Sequence, residues 1–482
     1  MSDVRTYPNL INGEWVSGGK TFENRNPADT GEVVGLFARA TAQDMANAAE
    51  AAQCAFAGWS ALNGPARGAY LYKAAEILDS RFEQLGQEMT REEGKTLPEA
   101  KGEVRRAINI FRYFAGEGSR LPGHLVPSER DRVFMFAVRK PVGVVGLVTP
   151  WNFPSAIPAW KLAPALVAGN TVVIKPASAA PLSAWRLVEA LAEAGVPKGV
   201  VNFLAGSGGE LGQALVDAPA LKAVSFTGSC EIGHWLHERA SRRRLRIQLE
   251  MGGKNPTIVL ADCDFKAAVE NTVNGAFFST GQKCTATSRV IVEEAIHDRF
   301  VDALAERTAK LKVGNGLEAG VDIGPAIDQA QLDTDLRYIE TGKKEATLKF
   351  GGRRLSDGAL AKGYFIEPAI FTGVDEGMTI AQEEIFGPVL AVMKARDFDH
   401  AIKIANNVAF GLSASIQTQN VSRIFDYVSK IEAGLLTVNL PSAGVEYQLP
   451  FGGTKDSSFG PKEQGPAAMD FYTDYKTVYL KY

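Results

Sequence analysis

An α/β protein with two doubly wound units is predicted by three features of the sequence. From Val142 onward, short β-branched runs alternate with amphipathic helical ones. A second alternating series of the same kind begins near Thr257. Strand, helix and strand at this spacing build a parallel sheet covered on both faces. The composition supports large cores: 482 residues, 45% hydrophobic and 22% charged, which excludes disorder as the main state.

The elements follow in chain order. Ala42 to Trp59 and Ala66 to Glu92 repeat apolar residues at three- and four-residue spacing, as in Leu71, Ala74, Ala75 and Leu78, and predict two amphipathic helices. The first strand series reads VGVVGLV (142–148), TVVIKP (171–176), VVNFL (200–204), AVSF (223–226) and RIQLE (246–250), with the helix LSAWRLVEALAEAG (182–195) among its connections. The second reads TIVL (257–260), RVIVEE (289–294), VLAVMKA (389–395), ASIQT (414–418) and LLTVN (435–439). Asp131–Arg139 and Phe471–Tyr482 are extended, aromatic-rich segments outside either series, suited to pairing with each other or with another subunit.

Charge and cysteine usage remove several classes of function. Lys and Arg total 52 against 55 Asp and Glu, a net charge of −3, which argues against a nucleic-acid binder that works by neutralising phosphates. The opening MSDVRTYPNLINGEWVSGGK lacks the apolar stretch of a signal peptide, and no run approaches the ~20 residues of a membrane helix. Cys54, Cys230, Cys263 and Cys284 are widely spaced, with no CxxC pair, so neither a disulfide framework nor a zinc site is expected. His234 and His237 lack HExxH spacing, and no metal is expected. The reading is of a cytoplasmic protein with no membrane or nucleic-acid partner.

Candidate chemistry gathers at the carboxyl ends of predicted strands, where open α/β sheets bind ligands. No GxGxxG fingerprint is present, since Gly206, Gly208 and Gly212 miss its spacing by one. SFTGSCEIG instead places Gly228 and Ser229 between a strand and a helix, where exposed N–H groups favour phosphate. IKPAS adds Lys175 and Ser178 at the same edge, although a lysine there also snorkels to solvent. Cys284, in STGQKCTATSRV, has the polar, glycine-containing neighbourhood that a nucleophile needs; Cys54, Cys230 and Cys263 read as small buried hydrophobes. Glu250 ends RIQLE and is either a solvated carboxylate or, if placed beside Cys284, a general base. Asn152, between the prolines of TPWNFP, is either an Asx-turn former or an oxyanion donor.

Together, PWNFP (150–154), IKPAS (174–178), FTGSxxxG (226–233), LEMGGKNP (249–256), GQKCT (281–285), EEIFGPV (383–389) and PFGG (450–453) resemble the aldehyde dehydrogenase superfamily, in order and separation, over essentially the whole chain. The resemblance implies a cofactor-binding domain (1–121 and 142–252), a catalytic domain carrying the cysteine (253–454) and a small β oligomerisation unit (122–141 and 455–482), assembled as a homodimer or homotetramer. It implies that Cys284 attacks an aldehyde, that the Asn152 amide and the Cys284 N–H hold the oxyanion, and that Glu250 activates the water that releases the carboxylate. Pro150, Trp151, Lys175, Ser178, Gly228, Ser229, Glu384 and Phe386 are the implied cofactor contacts. Members preferring NAD often carry Glu where this chain has Ser178, so NADP is expected as the favoured cofactor, with NAD as a possible second. IPAWKLAPAL (157–166), CTATSRV (284–290), TIAQEEIFGPV (379–389) and SAGVEYQLPFGG (442–453) resemble the α-ketoglutaric semialdehyde dehydrogenases, which implies an ω-oxo acid substrate. Succinate-semialdehyde dehydrogenases, the competing subgroup, typically carry Arg at the positions of Trp160 and Phe278. Their absence keeps open an uncharged aromatic or aliphatic aldehyde and leaves Lys161 and Arg289 as candidate carboxylate anchors. A thioester intermediate with a water-activating glutamate further implies a cofactor-independent esterase side activity.

Overall fold

A computed structural model describes residues 4–482; residues 1–3, at the start of the range expected for cofactor binding, lie outside it. Five parallel strands form the centre of one sheet: Val144–Thr149, Thr171–Pro176, Val201–Phe203, Leu221–Thr227 and Arg246–Glu250. Val144–Thr149 pairs with Thr171–Pro176 on one side and with Leu221–Thr227 on the other. Chain order therefore reverses at this first strand, and the crevice beyond its carboxyl end is the ligand position of a doubly wound sheet. Antiparallel strands extend both edges, Asn9–Ile11 and Glu14–Val16 at one and Ser458–Phe459 at the other.

The second sheet has five parallel pairings through Ala369–Thr372, Val389–Ala395, Thr287–Glu293, Asn255–Val259, Ser413–Gln417 and Leu435–Val438. An antiparallel edge strand, Thr347–Gly351, completes it. That strand and Ala369–Thr372 were not in the sequence series, because their lone apolar runs are set among Gly- and Pro-rich loops. Both sheets are buried on two faces, which explains why their strands read as continuous apolar runs.

Two corrections concern the helices and the cysteines. The helix expected over Ala66 to Glu92 is two, Gly64–Ser80 and Phe82–Glu93, separated at Arg81, which leaves helical geometry at φ −109° and ψ 13°. Cys54 is exposed rather than buried, while Cys230 and Cys263 are half-buried; all four thiols are free.

The two extended segments pair with each other. Thr473–Lys481 runs antiparallel to Val133–Pro141 over nine residue pairs, with His124–Val126 on the far side. The stretch 455–482 is divided, since Ser458–Phe459 joins the first sheet instead. Among the described residues, no helix is long and apolar enough to cross a membrane, and no cluster of His, Cys, Asp and Glu has the make-up of a metal site.

Candidate active site

Cys284 follows a turn that the sequence alone does not reveal. Ser279, Thr280 and Gly281 adopt left-handed geometry in succession, at φ 54°, 56° and 67°. Two consecutive non-glycine residues in that region store strain that neighbours must hold. Glu99 provides part of the hold, accepting from the Ser279 N–H at 2.7 Å and its hydroxyl at 3.0 Å. Gly281 packs so closely on the Gly387 carbonyl that a Cβ would lie 2.4 Å from it. Beyond the cysteine, Asn255 donates to the Cys284 and Ala286 carbonyls at 2.8 and 2.9 Å. The glycines of LEMGGKNP serve close approach: a Cβ on Gly253 would meet the Cys284 carbonyl at 2.8 Å, and one on Gly252 the Glu384 carboxylate at 2.2 Å.

The cysteine keeps partial exposure to a cavity of about 400 Å³. Its thiol is pushed up to about 12, first by burial and then by the Glu250 and Glu384 carboxylates; the N–H groups of Cys284 and Thr285 act in the opposite direction. Those two N–H groups are the local source of thiolate stabilisation, and the carboxylates oppose it.

Asn152 sits beside this loop, its Nδ2 donating to the Gln282 carbonyl at 3.1 Å. An amide nitrogen carries two hydrogens, so one donor remains. Its backbone carbonyl accepts from Lys95 Nζ at 2.8 Å, and the same ammonium contacts Glu103 at 2.6 Å. Glu103 in turn accepts from the N–H groups of Ser155 and Ala156 at 2.8 and 3.0 Å. The Asn152 loop is thereby clamped to the helix Leu97–Glu117 through a buried ion pair. Glu99, Lys95, Glu103 and Asn255 were all missed from sequence; the only signals were polar residues on the buried face of an amphipathic helix and the NP that closes LEMGGKNP.

Glu250 is buried at the end of its strand. Its oxygens accept from Ser458 Oγ at 2.6 Å and Gln248 Nε2 at 3.3 Å. Burial, reinforced by Glu463, pushes its carboxyl up to about 8. It acts on the thiol electrostatically but does not line the 400 Å³ cavity. Nearby, Lys161 is fully buried, paired with Glu463 and donating to Ser225 at 2.6 Å. Arg289, equally buried, donates to the carbonyls of Lys254, Ile404 and Ala405. Neither is a carboxylate anchor: both are committed to the packing of the two sheets, outside the cavity. Trp160 and Phe278 do line it, with Phe153 and Phe451.

A second cavity, of about 720 Å³, opens at the chain-order reversal of the first sheet. Pro150, Trp151, Lys175, Gly228 and Ser229 line it together, as do Gly208 and Gly212 of the imperfect glycine fingerprint. The helix Cys230–Arg242 starts on its wall, capped by Ser229. Burial lowers Lys175 to about 8, and its ammonium bonds only to the neighbouring Pro176 carbonyl, at 3.0 Å. The Thr149 and Thr227 hydroxyls on the wall have no protein partner. An unpaired buried cation, free hydroxyls and a helix start fit a phosphorylated, hydroxyl-rich ligand such as a nicotinamide dinucleotide.

Three expected cofactor contacts stand apart from this wall. Ser178 donates to the Gly206 carbonyl at 2.7 Å and does not line the cavity. Glu384 accepts from the Gly253 N–H at 2.8 Å and, with Phe386, lines a small cleft beside Lys283. Burial pushes the Glu384 carboxyl up to about 7. Phe386, itself at φ 63°, meets Trp151 edge-on at 5.4 Å between ring centroids, which joins the cleft to the cavity wall.

An apolar cavity with a cysteine in its wall and a dinucleotide-type crevice on the first sheet together have the layout of a nicotinamide-dependent oxidoreductase. The chain belongs to the aldehyde dehydrogenase family, whose sequence pattern matches residues 15–478. It is 50% identical to an alpha-ketoglutaric semialdehyde dehydrogenase of Bacillus subtilis, covering 100% of this chain and 99% of that one. A 2,5-dioxopentanoate dehydrogenase of Saccharolobus solfataricus is 43% identical over 99% of both chains. A betaine aldehyde dehydrogenase of Staphylococcus aureus, solved in complex with NAD+, superposes with a TM-score of 0.96 at 34% identity, covering 98% of this chain and 94% of that one. The protein is thus an NAD(P)-dependent oxidoreductase that converts an aldehyde to a carboxylate.

Proposed function

We propose that the substrate is an ω-oxo acid of the α-ketoglutaric semialdehyde type, with Cys284 as nucleophile, Asn152 as oxyanion donor and Glu250 as general base. One observation carries the assignment of roles: Cys284 lies in the cavity wall within the electrostatic reach of Glu250, and the Asn152 amide is bonded to the Gln282 carbonyl two residues before it. The names of the relatives at 43–50% identity support the substrate class.

The thiolate of Cys284 attacks the aldehyde carbon, forming a C–S bond and an alkoxide. The free Asn152 N–H and the Cys284 N–H donate to that oxygen, where charge develops. A nicotinamide dinucleotide held there would supply the hydride acceptor, and Cys284 would carry the thioester left as the C=O bond re-forms. Glu250, once ionised, takes a proton from water as the water oxygen attacks the thioester. The C–S bond breaks, its electron pair returns to sulfur, and the carboxylate leaves.

Residues of the large cavity, Pro150, Trp151, Lys175, Gly228 and Ser229, would hold the adenosine and pyrophosphate, while Glu384 and Phe386 would hold the nicotinamide ribose. NADP is favoured in this reading, because Ser178 presents no carboxylate against a 2′-phosphate; NAD is the second cofactor. The ranges 1–121 with 142–252, 253–454 and 122–141 with 455–482 are read as cofactor, catalytic and oligomerisation units. Exposed Leu125, Val126, Phe134, Tyr479 and Leu480 on the small sheet favour a homodimer or homotetramer, which sedimentation would test. Four free thiols fit a reducing cytoplasm.

Steady-state kcat/KM for α-ketoglutaric semialdehyde, succinate semialdehyde, benzaldehyde and pentanal, each with NAD and NADP, tests this reading. A preference for the oxo acids and for NADP is expected. Equal or better efficiency with benzaldehyde or pentanal overturns the substrate class; equal or better efficiency with NAD overturns the cofactor preference.

A further inference from the structure

We propose that Arg106 binds the carboxylate of the substrate and sets the preference for ω-oxo acids over uncharged aldehydes, an inference that rests on the substrate class given above. The walls around Cys284 carry four charged residues: Glu99, Glu103, Arg106 and Lys283. The two glutamates are committed: Glu99 accepts from Thr96 and Ser279, and Glu103 is paired with Lys95 and caps Ser155 and Ala156. Among the described residues neither cation has a carboxylate within salt-bridge distance. Lys283 is buried and donates to the Asn274 carbonyl at 3.0 Å, a point charge without a planar fork. Arg106 has one protein partner, the Val445 carbonyl, which accepts from Nη2.

A guanidinium has five N–H donors in a planar fork. One bond to Val445 leaves most of that fork for a ligand, and none of its nitrogens is among the enclosed polar atoms lacking a partner. Phe153, Trp160, Phe278 and Phe451 form the apolar part of the same cavity, and a charge pair formed there is weakly screened. A carboxylate matches the fork with two parallel hydrogen bonds. The bond to Val445 also ties the cation to the 443–445 loop, which lines the cavity. The expected anchors Lys161 and Arg289 lie outside this cavity, and of the two cations that line it only Arg106 offers a planar fork to a carboxylate.

The test compares the wild-type enzyme with Arg106→Met and Arg106→Lys at saturating NADP. Two quantities are read: the ratio of kcat/KM for α-ketoglutaric semialdehyde to that for pentanal, and the inhibition constant of glutarate against pentanal oxidation. The expected result is a 10- to 100-fold fall of the ratio in Arg106→Met, carried by KM, with glutarate inhibition weakened by a similar factor. Arg106→Lys should recover part of both, since a lysine restores the charge without the fork. A wild-type preference for the oxo acid that survives in Arg106→Met would overturn the proposal and leave the substrate class standing. An equal loss on both aldehydes with unchanged glutarate inhibition would show Arg106 to be structural. A wild-type enzyme that prefers pentanal, yet is inhibited by glutarate only while Arg106 is present, would overturn the substrate class and retain the anion site. Absence of both the preference and the inhibition overturns both.

Discussion

The cavity that holds Cys284 and the larger one on the first sheet are built on different principles. The larger is made at the carboxyl ends of adjacent parallel strands, from 148–151, 175–177 and 226–236 at the ends of Val144–Thr149, Thr171–Pro176 and Leu221–Thr227, closed by 208–213. Its position is a consequence of strand order, and its walls are continuous motifs. The smaller is assembled from four remote stretches, 99–106, 153–160, 274–285 and 443–451, which belong to helices and loops rather than to one sheet. A cofactor common to many enzymes can be met by topology; a particular aldehyde is met by side chains that vary without disturbing either sheet. Cys284 lines the smaller alone, so variants at and around it should separate the two.

Cys284→Ser should separate them most sharply. A hydroxyl has neither the acidity nor the nucleophilicity of the thiol, so aldehyde oxidation should fall by at least about 10⁴-fold. Cofactor binding, measured by calorimetry, should persist, because Cys284 is not part of the 720 Å³ cavity. Loss of both would mean that the two cavities cannot be divided in this way. Glu250→Gln should act next, slowing thioester hydrolysis by roughly 10²- to 10⁴-fold while leaving the hydride burst in place. The direction with pH follows from the raised carboxyl: below about 8 Glu250 is mainly protonated and cannot accept a proton, so deacylation should rise with pH through that value. The variant should lose this limb, and an unaltered pH profile would remove Glu250 from the role. Asn152→Ala should lower kcat by about 10²- to 10³-fold, the loss expected of one oxyanion donor. Saturation with aldehyde should not restore it; a change confined to KM would reassign Asn152 to ground-state binding.

Much of the large cavity was legible in the sequence because periodicity marks parallel strands and glycine marks where a helix must start close to a ligand. Gly228 and Ser229 stand where SFTGSCEIG placed them, at the strand-to-helix turn beside Lys175. Val133–Pro141 and Thr473–Lys481 were legible as strands and left two partners open, and the structure chooses each other. The small cavity was far less legible. Lys161 and Arg289 were drawn from motif neighbourhoods, but adjacency in sequence does not show which way a side chain points; both point into the packed interior. Arg106 lies in GEVRRAIN, where two adjacent arginines look alike, yet Arg105 pairs with Asp79 while Arg106 lines the cavity. Helical geometry separates them by about 100°, and only the position of the helix against the Val445 loop decides which one faces the substrate. The strained turn 279–281 was hidden for a related reason: Ser and Thr give no sign of left-handed geometry, which Glu99 and Gly387 impose from distant segments.

The smallest expected effect bears on the larger cavity and tests whether its edge carries specificity as well as position. Ser178 now donates its hydroxyl to the Gly206 carbonyl and presents no charge. Ser178→Glu would introduce a longer, charged side chain three residues after Lys175, the buried ammonium without an ionic partner on the cavity wall. A carboxylate at that corner accepts from ribose hydroxyls and repels a 2′-phosphate, so the ratio of kcat/KM for NADP over NAD should fall about tenfold or more, with the change carried by the cofactor KM. The kcat/KM ranking among aldehydes should stay as it is, because the substitution lies outside the 400 Å³ cavity. A shifted aldehyde ranking would show that the two regions communicate through the first sheet, and the contrast between a cavity set by topology and one set by side chains would then fail at its cofactor end.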